Sequence, residues 1–188
     1  MSETLIRDFS GAELEIRSAA KGGDGRIVEG IAVPYNVRQR IDASLVEQFV
    51  SGAFAHQIGD AARHVRFHRD HDPDKLLGVA VELREDPRGL VGAFRVAKGP
   101  AGDEVLDLVE MGALTDLSIG FRERQNRSEP DGTITRVTAD LREVSIVREG
   151  AYGAGATITG LREARAALAE AEQILARIPE LSLGALIG

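Results

Sequence analysis

Apolar and polar positions along this chain alternate far more often than they recur at helical spacing. "RIVEGIAVPYN", "LLGVAVELRED", "GLVGAFRVAK", "LTDLSIGF" and "TITRVTADLREVSIV" set apolar side chains at every second position or in short β-branched runs, the signature of strands. "AELEIRSA" is the first strand candidate, and the Gly-rich "AKGGDG" after it reads as a hairpin turn. Pro34 marks a strand end or an edge. "DPRG" predicts a second hairpin, and "HVRFHRDHD" a strand that runs into a polar loop. Three segments depart from alternation. In "IDASLVEQFVSGAFAHQIGD", Ser44 and Glu47 have capping-box spacing and Leu45, Phe49 and Phe54 form an apolar stripe, which predicts a helix broken near Ser51–Gly52. "GPAGDEVLDLVEMGAL" predicts a helix ending near Gly112. In the tail, Leu161, Ala164, Leu168, Ala171, Leu175 and Ile178 repeat at alternating steps of three and four, a heptad seam on a helix that Pro179 stops. Such a helix lies on its own domain or docks onto a partner.

The expected architecture is therefore mainly β with two or three internal helices (α+β). Mixed strands without tight repeats favour a barrel or curled sheet over a sandwich. The expected division is a β domain over residues 1–158 and a C-terminal helical appendage over 159–188. The chain has 188 residues, 43 % apolar and 28 % charged, enough for one real core. No apolar run approaches membrane-spanning length and the N-terminus carries no signal-like stretch. Cysteine is absent, which excludes disulfides, thiolate metal sites and a cysteine nucleophile. A net charge of −7, few aromatics and the acid-interrupted "RHVRFHRDH" argue against nucleic acid as a partner. Synthesis in a cytoplasm and no membrane partner are the expectation.

Within "LTDLSIGF", Leu117, Ile119 and Phe121 share one face of the strand, while Ser118 and Gly120 share the other. A hydroxyl beside bare backbone fits either a half-exposed strand or a nucleophile at the floor of a cleft. A serine nucleophile needs a base, and the base an orienting group. The four histidines are His56, His64, His68 and His71. A zinc site from His64 and His68 is disfavoured, because on a strand the two would stand about 13 Å apart; no metal or cofactor is expected. Glu143 in "LREVSIV" is the third candidate. Val137, Ala139 and Leu141 share a face that Glu143 and Ser145 continue, so the apolar side changes over at Arg142–Glu143, a cleft wall or a bulge. No nucleophile elbow, Walker motif or S-x-x-K includes this serine.

Taken together, "RDHDPDKLLG", "EMGALTDLSIGF" and "LREVSIV", with "EGIAVPYN" and "SGAFAHQI" upstream, resemble the prohead (capsid maturation) protease family of tailed bacteriophages. The resemblance covers roughly residues 13 to 158. It implies a serine endopeptidase related in fold to herpesvirus assemblins: a closed or partly closed β-barrel surrounded by helices. Carried onto this sequence, it makes Ser118 the nucleophile, His71 the general base and Glu143 the acid that orients the imidazole, with His68 an alternative third member or base. Oxyanion donors would be backbone N–H groups at Ile119 and Gly120, or the side chains of Arg122 or Arg148. The family often continues past its Glu-Val-Ser element with a proline-rich turn; "REGAYGAGATI" stands there instead. The implied substrate is scaffold or major capsid protein inside the immature procapsid of a phage or phage-like particle, in the cytoplasm of a bacterial host. Extended substrate would add as an edge strand. Self-cleavage is expected in that confinement, with the heptad tail a target or a route to homodimers. A protease-fold assembly component without turnover is the alternative, and an esterase a remoter one.

Overall fold

The computed structural model describes residues 3–9, 13–17 and 24–148. Ten strands form one sheet: β1 (Leu5–Phe9), β2 (Glu15–Ile16), β3 (Ile27–Pro34), β4 (Gln39–Arg40), β5 (Val46–Phe49), β6 (Arg66–Arg69), β7 (Asp72–Asp86), β8 (Gly89–Val96), β9 (Asp116–Ser128) and β10 (Ile134–Val147). Their order is β1-β9-β10-β6-β7-β8-β3-β2, with β5 pairing β10 and β4 pairing β5. The sheet curls into a half-barrel around a core that includes Phe49, Phe67, Phe94, Phe121 and Ile146, all buried. Aromatic rings tie the core together. Phe49 stacks on Phe54 at 5.5 Å and meets Phe121 edge-on at 5.1 Å, while Phe67 stacks on Phe94 at 4.7 Å.

Most strands lie where alternation puts them. The β7–β8 hairpin turns through Pro87–Arg88, where Asp86 Oδ1 accepts the Arg88 backbone N–H at 3.0 Å. The β2–β3 pair forms antiparallel as expected; most of the Gly-rich turn joining them is outside the described residues. One α-helix, α1 (Pro100–Glu110), starts on a proline, buries Val105, Leu106 and Val109, and gives way to Gly112 at φ 72°.

The helix expected across "IDASLVEQFVSGAFAHQIGD" does not form. Asp42 Oδ1 accepts the backbone N–H groups of Ser44 and Leu45 and the Ser44 hydroxyl, closing a local turn. The chain leaves that turn extended, and β5 pairs parallel with β10, burying Glu47 and Phe49 on one face. The remainder is two 3₁₀ turns, Ala55–Gln57 and Gly59–His64. A ring of helices around the barrel is thus replaced, among the described residues, by one helix and these turns. The predicted C-terminal helix over 159–188 falls outside the described residues.

Candidate active site

Three strand features deliver the side chains. Ser118 sits on β9, with Leu117, Ile119 and Phe121 packed into the core on the opposite face. On β10 a register shift between Leu141 and Glu143 opposes two residues of that strand to one of β9. This is a bulge at Arg142, and it changes which side chains face the core. Leu141 points inward before it; Val144 and Ile146 do so after it. Glu143 and Ser145 are thereby turned to the face that carries Gly120 and Ser118, their partners in register. The changeover visible in the sequence is this bulge.

The third feature is the connection from β6 to β7. Arg69 pairs with Asp72, leaving a two-residue turn of Asp70 and His71. Both are left-handed, at φ 53° and 57°, the conformation of a type I′ hairpin turn and one that histidine adopts more readily than bulky residues do. Because β6 runs parallel to β10, with His68 opposite Ser145, the turn brings His71 over the Glu143 face.

The imidazole of His71 bridges two groups. Its Nδ1 lies 2.5 Å from Glu143 Oε1, and its Nε2 is hydrogen-bonded to Ser118 Oγ. Ser145 braces this pair from below: its hydroxyl donates to Glu143 Oε2 at 2.8 Å and accepts the His71 backbone N–H at 3.1 Å. His68 Nδ1 stands 3.4 Å from Glu143 Oε2, so it flanks the carboxylate. Gly120 makes room for Glu143. A Cβ there would stand 2.7 Å from Oε1 and 2.8 Å from Cγ, which is the physical reason for bare backbone two residues from the serine.

Electrostatics follow from this crowding. Burial works against a charged imidazole, yet Asp8, 3.7 Å away at Oδ1, and Glu143 outweigh it and hold the His71 pKa up at about 9. Burial likewise works against an ionised Glu143, but His71 and Ser145 bonding to its oxygens keep its carboxyl below the ordinary range. At neutral pH the pair is therefore imidazolium and carboxylate.

The other sequence candidates are placed differently. His64 ends a 3₁₀ turn and is exposed; it does not share a strand with His68 as supposed. His56 pairs with Asp140 at 2.8 Å, away from Ser118. Ile119 and Gly120 lie in β9 between two flanking strands, so their backbone groups face neighbouring ladders. Arg122 continues the Ser118–Gly120 face, and its buried Nε has no hydrogen-bond partner. Arg148 is exposed. No group of three or more histidine, aspartate or glutamate side chains among the described residues is arranged to hold a metal.

A model of the caudovirus prohead serine protease family matches residues 12–169, most of the chain. The chain belongs to that family. As a prohead protease it is a serine peptidase of phage capsid maturation. Its half-barrel is similar to the solved structure of the bacteriophage T4 capsid assembly protease, gp21, with a TM-score of 0.55 at 13 % identity, over 77 % of this chain and 97 % of that one. Among curated protein sequences, none matches. The prohead-protease match takes in His68, His71, Ser118 and Glu143 but begins after β1.

Strand β1 and its partners went unread in the sequence. Asp8 reaches His71, Arg7 is buried, and Glu47 is buried beneath both Arg7 and Arg136. The alternation in "LIRDF" was the available signal, masked by an arginine at a core position.

Proposed function

We propose that this prohead protease is an endopeptidase of Ser-His-Glu type, with Ser118 as nucleophile, His71 as general base and Glu143 as the acid that orients it. The single observation that carries this reading is the imidazole of His71 standing between Ser118 Oγ and Glu143 Oε1. Residues 71, 118 and 143 are far apart in sequence, and structural ion pairs alone give no reason for a serine hydroxyl at the end of the chain of contacts.

In its neutral form His71 takes the Ser118 proton as Oγ attacks the peptide carbonyl. The peptide C–N bond breaks, the imidazolium returns the proton to the leaving amine, and water repeats the cycle to release the acyl group. Glu143 accepts the Nδ1–H bond throughout, fixing the tautomer that leaves Nε2 toward the serine. His68, 3.4 Å from the far oxygen of Glu143, flanks that carboxylate. The unpartnered Nε of Arg122 is the oxyanion donor this reading favours over the Ile119 and Gly120 backbone N–H groups, which face neighbouring strands; Arg148 is the remaining candidate.

The substrate we propose is the scaffold or major capsid protein packed inside an immature procapsid in a bacterial host, with self-cleavage in the same compartment. Self-association through the heptad tail belongs to the same proposal and falls outside the described residues. Co-expression with the major capsid protein of the same particle tests the reading. A shortened capsid chain is expected with the wild type and an intact one with Ser118→Ala. Equal capsid lengths with both, and no fluorophosphonate labelling of Ser118 in any variant, would leave the assembly component without turnover as the better account.

A further inference from the structure

The side chain of Ser118 is fully buried. A nucleophile that must meet a peptide carbonyl has no exposed surface here, because β1 lies on it. β1 ends the strand order and runs antiparallel to β9, with Asp8 opposite Ser118 and Arg7 opposite Ile119. The Ser118 hydroxyl donates to the Arg7 carbonyl oxygen at 3.0 Å. A groove of about 700 Å³, lined by residues including Leu14, Ile16, Leu106 and Val109, contains none of these groups; the space beside Ser118 is filled by the protein's own chain.

The Arg7 side chain enters a formed receptor. Its Nε donates to Glu47 Oε1 at 2.5 Å and its Nη2 to Oε2 at 3.2 Å. Its guanidinium carbon stands 5.6 Å from the Phe121 ring centroid. Glu47 is at the same time held by Arg136, through Nε at 2.9 Å and Nη2 at 2.6 Å, and Arg136 also bonds Glu123. Without Arg7 the receptor therefore keeps its shape. Two carboxylates against one guanidinium leave it one positive charge short, which is what a second basic side chain supplies.

From these contacts we infer that β1 holds the place of a substrate strand, and that Glu47 is the specificity-determining residue that selects a basic side chain on the residue whose carbonyl meets Ser118. The inference rests on the reading of Ser118 as nucleophile and deepens it by naming the substrate class: an extended peptide, paired antiparallel to β9, with arginine at that position. In its docked state β1 is an occupant and not a substrate. The serine proton is directed at the Arg7 carbonyl, and His71, between Asp8 and Glu143, already carries its proton, so no base is free.

The test uses the full chain. Arg7→Glu sets a carboxylate against Glu47 and should eject β1, raising the rate of fluorophosphonate labelling at Ser118 by about tenfold or more, whereas Arg7→Lys stays near wild type. A fluorescent peptide of residues 3–11, "ETLIRDFSG", should bind the Arg7→Glu/Ser118→Ala double variant, and its Ala-for-Arg counterpart about tenfold more weakly. A folded Arg7→Glu protein that labels at the wild-type rate, or equal binding of the two peptides, overturns the inference. Should Arg7→Glu fail to fold, Arg7→Ala, which leaves Glu47 with Arg136, takes its place in both measurements. Arginine-dependent peptide binding with no labelling of any variant sinks the nucleophile and leaves the strand site standing.

Discussion

Glu143 lies across the backbone of Gly120, so close that a methyl group on that glycine would stand 2.7 Å from the carboxylate oxygen that holds His71. The clash would be with the mobile end of a side chain. Gly120→Ala should therefore leave the fold intact and push Glu143 off its bond to His71. A displacement of about 1 Å in a catalytic contact costs on the order of 10²-fold in rate. Peptidase activity should fall by about that factor while the thermal midpoint stays within a few degrees of wild type, as circular dichroism would report.

Glu143→Gln keeps the size of the side chain and removes its charge. The amide no longer favours the imidazole tautomer with a proton on Nδ1, and activity should drop by about 10⁴-fold. His68→Ala should cost far less, because His68 meets only the outer carboxylate oxygen, at 3.4 Å. Equal losses in the two variants would move His68 into the triad. Steady-state cleavage of one peptide by both variants decides it.

Two carboxylates face His71, and they set its response to pH. Its pKa is raised from 6.5 to about 9, so this ion-paired group stabilises the fold fully below about pH 6.5 and the contribution is lost as pH rises through about 9. The same shift withholds the base: labelling of Ser118 should climb on the alkaline side, with a midpoint near the His71 pKa. Asp8→Asn removes one of the two charges and should move that midpoint down by about one pH unit. A profile identical to wild type would show that Asp8 does not reach the imidazole in solution.

Glu47 is buried between two guanidinium groups. Glu47→Ala takes the buried carboxylate from Arg7 and leaves Arg136 with Glu123 alone, and should destabilise the fold by about 3–5 kcal/mol. Arg7→Ala leaves Glu47 still bonded to Arg136 and should cost about 2 kcal/mol. Urea unfolding of the two variants measures the difference.

The strands that carry Ser118 and Glu143 were legible because one face of each packs a core, and alternation records that directly. The bulge at Arg142 was visible as a changeover of faces without showing which side each group would take. Val46–Phe49 misled because Ser44 and Glu47 happen to have capping-box spacing, while the turn built on Asp42 and the burial of Glu47 against arginines from β1 and β10 depend on distant residues. β1 was missed for the same reason. An arginine at position 7 reads as surface until Glu47 is known to sit beneath it. The bond from His71 to Ser118 was expected only through the resemblance of three short motifs, since no local pattern brings a hairpin tip to a strand 47 positions away.

Strand β10 pairs β9 on one side, β6 on the other, and β5 along its first residues. It is the last of the ten strands to leave the ribosome, and it brings both Glu143 and the parallel partner that carries His71 into position. A nascent chain stopped before it holds the serine and the histidine on pieces of sheet with nothing to join them. On the proposed triad the site therefore stays in pieces until β10 joins the sheet, which makes the docking of this one strand the step that arms it.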